Sequence, residues 1–479
     1  MTCVTLSLVS HTNVGKTTLA RTLLRRDVGE VLDHAHVTEV GEAHELIRAG
    51  DHVLMLWDTP GFGDSARLAR RLRKQDGGLG AFLADAWDRI RDRPLWCSQQ
   101  AIRNIREDAD VVLYLVNASE HPEDAGYLTH ELDILEWIGR PVMVLLNQTG
   151  PDGEEPRSVA AWKEHLAPWS CVRELLTLDA FSRSPLHEAE LLDHVSEHLD
   201  GEQKSAMTWL ARSWRDRSEA VFAESIGALV EHVMRATRDR ESLPRRLASK
   251  TEKAAAMEAL AARHLRSKRE LGELLIDRHQ LDGRPAADLK EQLADFEFEG
   301  DQEWSWKRSA ILGSAVSGAL TGLAADILSG GLSFGGGLVA GGLAGALGGV
   351  GLAQGVQYFG MQGEPAVGWA NDFLESAVRE GLATYLTIAH FGRGRGRFEG
   401  RESPLVWSRA TDRSWRDSEA RGQLDWKAGR GDEEAKQREF TRRLRGTISL
   451  IAKELMRNGP RDQNSLPSSQ SEASQRTKS

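Results

Sequence analysis

Ser10-His11-Thr12-Asn13-Val14-Gly15-Lys16-Thr17 is the stretch whose residue types could do chemistry most directly. A glycine-bearing loop ahead of a helix presents backbone N–H groups that can wrap a β-phosphate. Lys16 would neutralise the β/γ oxygens and the Thr17 hydroxyl would ligate Mg²⁺. The pattern G-x-x-x-x-G-K-[ST] is met except at its first position, where Ser10 stands for glycine. A chance Gly-Lys-Thr in a strand–turn–helix is the bland alternative.

A second element sits further on. Trp57-Asp58-Thr59-Pro60-Gly61-Phe62 closes an apolar run, so that Asp58 could hold Mg²⁺ through water and the Gly61 N–H could sense a γ-phosphate. Between the two lies Thr38, twenty residues before Asp58 and the only threonine from Leu23 to Trp57. Its hydroxyl is the candidate to complete the Mg²⁺ shell in a triphosphate state, although alone it could equally be a loop residue.

These elements need a scaffold that brings loop ends together. Val4–Val9, Val53–Trp57, Val111–Asn117 and Val142–Asn147 are short, apolar and rich in β-branched residues, with longer amphipathic stretches between them. That alternation predicts an α/β domain over 1–185 with a mostly parallel sheet and helices on both faces. His44–Arg48, Ala49-Gly50-Asp51 and Val53–Trp57 predict an antiparallel hairpin at the sheet edge. Asp64 to Asp110 is longer than one crossover requires and predicts an inserted helical element. Within it Arg67, Arg70, Arg71, Arg73 and Lys74 crowd one short helix, either as a solvated face or as a contact for a partner or an anionic lipid.

At Asn13-Val14-Gly15-Lys16-Thr17, Thr38 and Asp58-Thr59-Pro60-Gly61 the sequence resembles the Era/TrmE-like translation-factor class of P-loop GTPases, over about the first 185 residues. The resemblance implies a GTP-switched hydrolase with Mg²⁺, whose nucleotide is held by Asn13, Val14, Gly15, Lys16, Thr17 and Thr18. Asn13 matches the asparagine that holds an activating K⁺ in some members. Phe62 stands where other GTPases carry a catalytic glutamine, and it is apolar here. The base-recognition motif departs from the family. Asn147-Gln148-Thr149-Gly150 stands in place of Asn-Lys-x-Asp, so the carboxylate acceptor for guanine is missing at Gly150. Its loss should cost ~1–3 kcal/mol of selectivity unless Asp152, or Asp179 beside Ala180, substitutes.

Beyond the α/β region the composition changes. Residues 186–308 are rich in Ala, Glu, Arg and Leu and predict several helices, interrupted at Pro244 and Pro285. Residues 309–363 hold one charge, Asp326, and 17 of the chain's 46 glycines. Ser309–Leu328 and Gly337–Tyr358 are each long enough to cross ~30 Å of hydrocarbon as a helix. Their small residues recur every four positions: Ser314, Gly318 and Gly322 in the first, Gly337, Gly341, Gly345 and Gly349 in the second. Such stripes suit a membrane hairpin, and a hairpin buried in a helical domain is the alternative. Lys307 and Arg308 fit the cytoplasmic end of a span. Residues 364–460 return to a charged helical style, and 461–479 are Ser/Gln-rich and expected to be disordered.

Composition narrows the function classes. The chain has 479 residues, 40% hydrophobic and 28% charged, which excludes wholesale disorder and a polytopic membrane protein. A net charge of −10 argues against a general nucleic-acid binder. Three cysteines (Cys3, Cys97, Cys171) and an N-terminus that reads as a strand predict a reducing, cytoplasmic setting and no signal peptide. The expectation is a GTP-binding, GTP-hydrolysing switch at the cytoplasmic face of a membrane. Its rival is a soluble regulatory NTPase whose hairpin is core or docks a partner.

Overall fold

The computed structural model describes residues 1–12, 14–24, 42–62, 65–74, 99, 101–103, 105–147, 157–178, 185–244, 250–281, 356–359, 365–390 and 403–458. The N-terminal sheet is built on β1 (Thr2–Ser10), flanked by β3 (His52–Asp58) and β4 (Val111–Asn117). β2 (Glu42–Ala49), β5 (Val142–Asn147) and β6 (Val172–Thr177) complete six strands in the order β2-β3-β1-β4-β5-β6. All pairings are parallel except β2–β3, the expected edge hairpin, whose tight turn at Gly50 takes φ +58°.

The alternation of side chains along each strand feeds two apolar layers. Val111, Leu113 and Leu115 face one side with Leu6, Leu8 and Leu19. Val112, Tyr114 and Val116 face the other, against Leu68, Leu128, Leu132 and Trp162. The helices supplying these layers are α1 (Lys16–Leu24), α2 (Ser65–Lys74), α3 (Leu128–Ile138) and α4 (Arg157–Leu166). β6 was not foreseen as a strand. It is an edge strand carrying Arg173 and Glu174, so it lacks the apolar run that marks the buried strands.

Next come α5 (Pro185–Glu197) and α6 (Gly201–Arg238), the latter 38 residues long. Leu191, Leu192 and Val195 of α5 and Met207, Leu210 and Trp214 of α6 complete the first sheet face. The Thr2 hydroxyl donates to Glu202 Oε1 at 2.5 Å. Further along the same helix, Ile226, Leu229, Val230 and Val233 enter a second core. There they meet α7 (Lys250–Arg278), α8 (Asn371–Ala389), α9 (Ser403–Asp417), α10 (Trp426–Arg430) and α11 (Glu434–Asn458).

A small antiparallel sheet also belongs to this body: β7 (Arg240–Ser242), β8 (Val356–Phe359) and β9 (Ala366–Trp369), in the order β7-β9-β8. β8 corrects one expectation. Val356, Gln357 and Tyr358, read from sequence as the end of an apolar helix, are a strand paired with β9, Val356 opposite Trp369 and Tyr358 opposite Val367. β-branched and aromatic side chains suit such a ladder better than a helix. The helical style expected from residue 364 likewise begins only after β9. Residues 309–355 and the C-terminal tail from 459 lie outside the described residues. Among the described residues no helix is long and apolar enough to cross a membrane.

Candidate nucleotide site

The C-terminal edge of the sheet carries the site, because parallel strands deliver their loop ends to one side. β1 ends at Ser10, and α1 begins at Lys16. Gly15 takes φ +99°, a conformation open to glycine at little cost. A Cβ there would also lie 3.0 Å from Asn147 Nδ2. That amide donates to the Val14 carbonyl at 2.8 Å and is fully buried, so the end of β5 braces the loop from below. The first N–H groups of α1 lack intrahelical acceptors by construction and are available to an anion.

Lys16 is 8% exposed. Burial pulls its ammonium below the usual lysine range, while the charges of Asp58 and Glu131 act the other way. The Thr17 hydroxyl donates to Asp58 Oδ2 at 2.7 Å, and Asp58 is itself 2% exposed. Asp58 Oδ1 is buried and has no hydrogen-bond partner among the described residues. Thr18 is buried on the inner side of α1.

The chain leaving β3 is fastened to the loop by backbone contacts. Thr59 donates its hydroxyl to the Leu8 carbonyl, and the Phe62 N–H donates to the Ser10 carbonyl at 3.0 Å. A parallel bridge then joins His11 and Phe62. Gly61 lies against Thr12, where a Cβ would come within 3.3 Å of the Thr12 Cα. These contacts join residues 10–12 to residues 58–62, more than forty positions later in the sequence.

Residues 5–148 match the family model described as 50S ribosome-binding GTPase. This part of the chain is a P-loop GTPase domain. Among solved structures, Era in complex with MgGDPNP and a segment of 16S ribosomal RNA aligns at 19% identity with TM-score 0.31. That alignment covers 42% of this chain and 59% of that one, so the chain spans less than two thirds of that relative. A point variant of Aquifex aeolicus Era bound to GDP and aluminium fluoride aligns at 17% identity with TM-score 0.31, over 57% of this chain and 90% of that one. No curated protein matches the sequence.

Within the GTPase domain the structure brings together Val14, Gly15, Lys16, Thr17, Thr18, Asp58, Gly61 and Asn147. Asn13, Thr38, Gln148, Gly150, Asp152, Asp179 and Ala180 lie outside the described residues. Asn147, expected as a base-recognition residue, spends its amide on the phosphate loop. The Leu178 N–H donates to the Leu146 carbonyl at 3.0 Å, which delivers the chain beside β5 one residue before Asp179. Phe62 is fully buried in the second apolar layer. In α2, Leu68 and Ala69 are buried while Arg67 and Arg70 are exposed, the latter donating to the Ala66 carbonyl.

Sequence reasoning missed a cluster at the start of the loop. His11 Nδ1 lies 2.6 Å from Glu131 Oε1, and the Tyr114 hydroxyl donates to Glu131 Oε2 at 2.7 Å. Glu131 is fully buried at the start of α3, and burial raises its carboxyl despite the two donors. The only signal available beforehand was a titratable side chain, His11, within the Ser10–Thr17 loop.

Proposed function

We propose that the chain is a Mg²⁺-dependent GTP-binding and GTP-hydrolysing switch. One observation carries the reading: the Thr17 hydroxyl and the Asp58 carboxylate, from separate motifs, meet at 2.7 Å beside a buried lysine. The orphaned Asp58 Oδ1 and the Thr17 oxygen are hard donors of the kind Mg²⁺ takes. Thr17 would hold the ion directly and Asp58 through water. Bound there, Mg²⁺ would neutralise charge on the phosphate oxygens. Lys16, buried at the loop, would meet the β/γ oxygens as a desolvated cation, and their negative charge would offset the cost of its burial. Gly61, seated on Thr12, holds the 58–62 segment at the loop and would let its backbone respond to a γ-phosphate.

Buried Phe62 offers no group to orient water, so turnover should be slow without help. Asn13 is the residue that would recruit K⁺ as that help, a proposal resting on sequence. Guanine should be preferred weakly, because Gly150 stands where an acceptor is usual. The test is titration of the purified full chain with fluorescent GTP, GDP and ATP analogues in Mg²⁺, followed by phosphate release in K⁺ and in Na⁺.

The cytoplasmic setting and a membrane tether through 309–363 are further proposals that rest on sequence alone. One observation favours the rival, a buried or partner-docking segment: its C-terminal end, Val356–Phe359, is a strand in the sheet of the helical body. Fractionation after a salt wash separates the two, the tether predicting the membrane pellet and the rival the supernatant.

A further inference from the structure

His11 is the second residue of the phosphate loop, and two side chains distant in sequence close on it, one of them held in turn by a third. Its Nδ1 shares a hydrogen bond with Glu131 Oε1 at 2.6 Å, and its ring stacks on Tyr127, with centroids 4.2 Å apart and planes 14° from parallel. Tyr114 supplies the other hydrogen bond to the same carboxylate. Short hydrogen bonds to a carboxyl group are among the stronger ones in proteins. A buried carboxylate that lost a donor would carry the full penalty of desolvation. The His11 side chain is therefore held at one place relative to α3.

The backbone of the same residue faces the other way. It pairs with Phe62, and the neighbouring Gly61 rests on Thr12. His11 thus joins three parts of the domain: α3 through its side chain, the phosphate loop through its own chain, and the 58–62 segment through its bridge. Strand register alone does not supply this anchor, since α3 reaches the loop here by a side-chain bond. Glu131 also contributes at Lys16, where its charge opposes the effect of burial on the ammonium.

We infer that His11 is a positioning residue for nucleotide binding, holding the phosphate loop in its binding shape through the Nδ1–Glu131 hydrogen bond. The inference rests on the nucleotide reading given above. It separates two features of the imidazole, the donor at the δ position and the flat ring. His11→Phe keeps the ring over Tyr127 and removes the donor. His11→Asn places an amide nitrogen at the δ position and removes the ring.

The experiment titrates the full-length wild type, both variants and Lys16→Ala with a fluorescent GTP analogue in Mg²⁺, and follows melting of each nucleotide-free protein. His11→Phe should bind about tenfold more weakly, and His11→Asn should recover to within about threefold of wild type. Melting temperatures of the folded variants should stay within a few degrees of one another. If His11→Phe does not fold, His11→Ala, which adds no bulk, carries the same expectation. Wild-type affinity in His11→Phe overturns the inference, and so does a loss in His11→Asn as large as that in His11→Phe, which would show that a hydrogen-bonding nitrogen at the δ position does not hold the loop. A wild type that binds no nucleotide, like Lys16→Ala, overturns the nucleotide reading and this inference with it.

Discussion

The Thr17 hydroxyl donates to Asp58 Oδ2 across 2.7 Å, tying the first turn of α1 to the end of β3. Adjacent parallel strands β1 and β3 place the two residues side by side, with Leu8 in register with Asp58. Asp58→Asn is expected to keep this contact while losing the charge that favours a divalent ion. The Mg²⁺ dependence of nucleotide affinity should then shrink, where the wild type loses about tenfold or more on chelation. Titrations with and without EDTA check this, and an undiminished Mg²⁺ effect would remove Asp58 from the metal site.

Lys16→Ala should weaken triphosphate binding by about a hundredfold, the equivalent of about 3 kcal/mol from charge-assisted contacts to two phosphates. The buried ammonium already bears a desolvation cost, so the melting temperature of the nucleotide-free variant should not fall. Calorimetric titration and thermal melting read the two effects separately.

Gly15→Ala tests the shape of the loop. A side chain at φ +99° costs about 1–2 kcal/mol, and its Cβ would press on the Asn147 amide that holds the Val14 carbonyl. Weaker nucleotide binding and a lower denaturation midpoint should appear together, in contrast to Lys16→Ala.

Acid should loosen the helical body. His232 is buried, accepts or donates with Ser267 at 2.8 Å, and stacks obliquely near His264. Burial first, then the charges of Lys268 and Arg235, lower its pKa to about 4, and His264 shifts the same way. The folded state therefore holds the ring neutral. Its stabilisation is complete above the unfolded value near 6.5 and is lost as pH falls from there towards 4. At about 1.4 kcal/mol per unit, His232 alone should remove about 2 kcal/mol between pH 6.5 and 5. Urea midpoints at pH 7.5 and 5 measure the loss, and His232→Asn should shrink it.

A GTPase fragment ending at residue 185 should aggregate, because Leu191, Val195, Met207, Leu210 and Trp214 would no longer cover the first sheet face. Each buried side chain of this size contributes about 1.5–3 kcal/mol, and their sum exceeds the marginal stability of a domain. A fragment ending near residue 218 keeps them and should stay monodisperse by size-exclusion chromatography.

Much of the nucleotide site could be read from the residues themselves. Gly15, Lys16, Thr17 and Asp58 sit at strand ends that apolar runs announce, and a parallel sheet leaves little freedom in where such ends go. The edge hairpin was equally plain, since polar residues alternate along β2 and a short turn joins it to β3. β6 and β8 were not, because a short edge strand and a strand inside a glycine-rich run carry no periodic signal of their own.

What tertiary structure alone decided has a common cause: contacts between residues far apart in the chain leave no local pattern. Asn147, read as a base-recognition residue, also donates its amide to the Val14 carbonyl, 133 positions earlier. His11 and Glu131, 120 positions apart, meet only because α3 packs over β4. The change of composition near residue 186 marks where the helical style begins, but not that α6 contributes to two cores, Met207, Leu210 and Trp214 to one and Ile226, Leu229 and Val233 to the other. Local periodicity reports that a helix has an apolar face. Which surface that face covers, and where along the helix the partner changes, is settled by the whole fold.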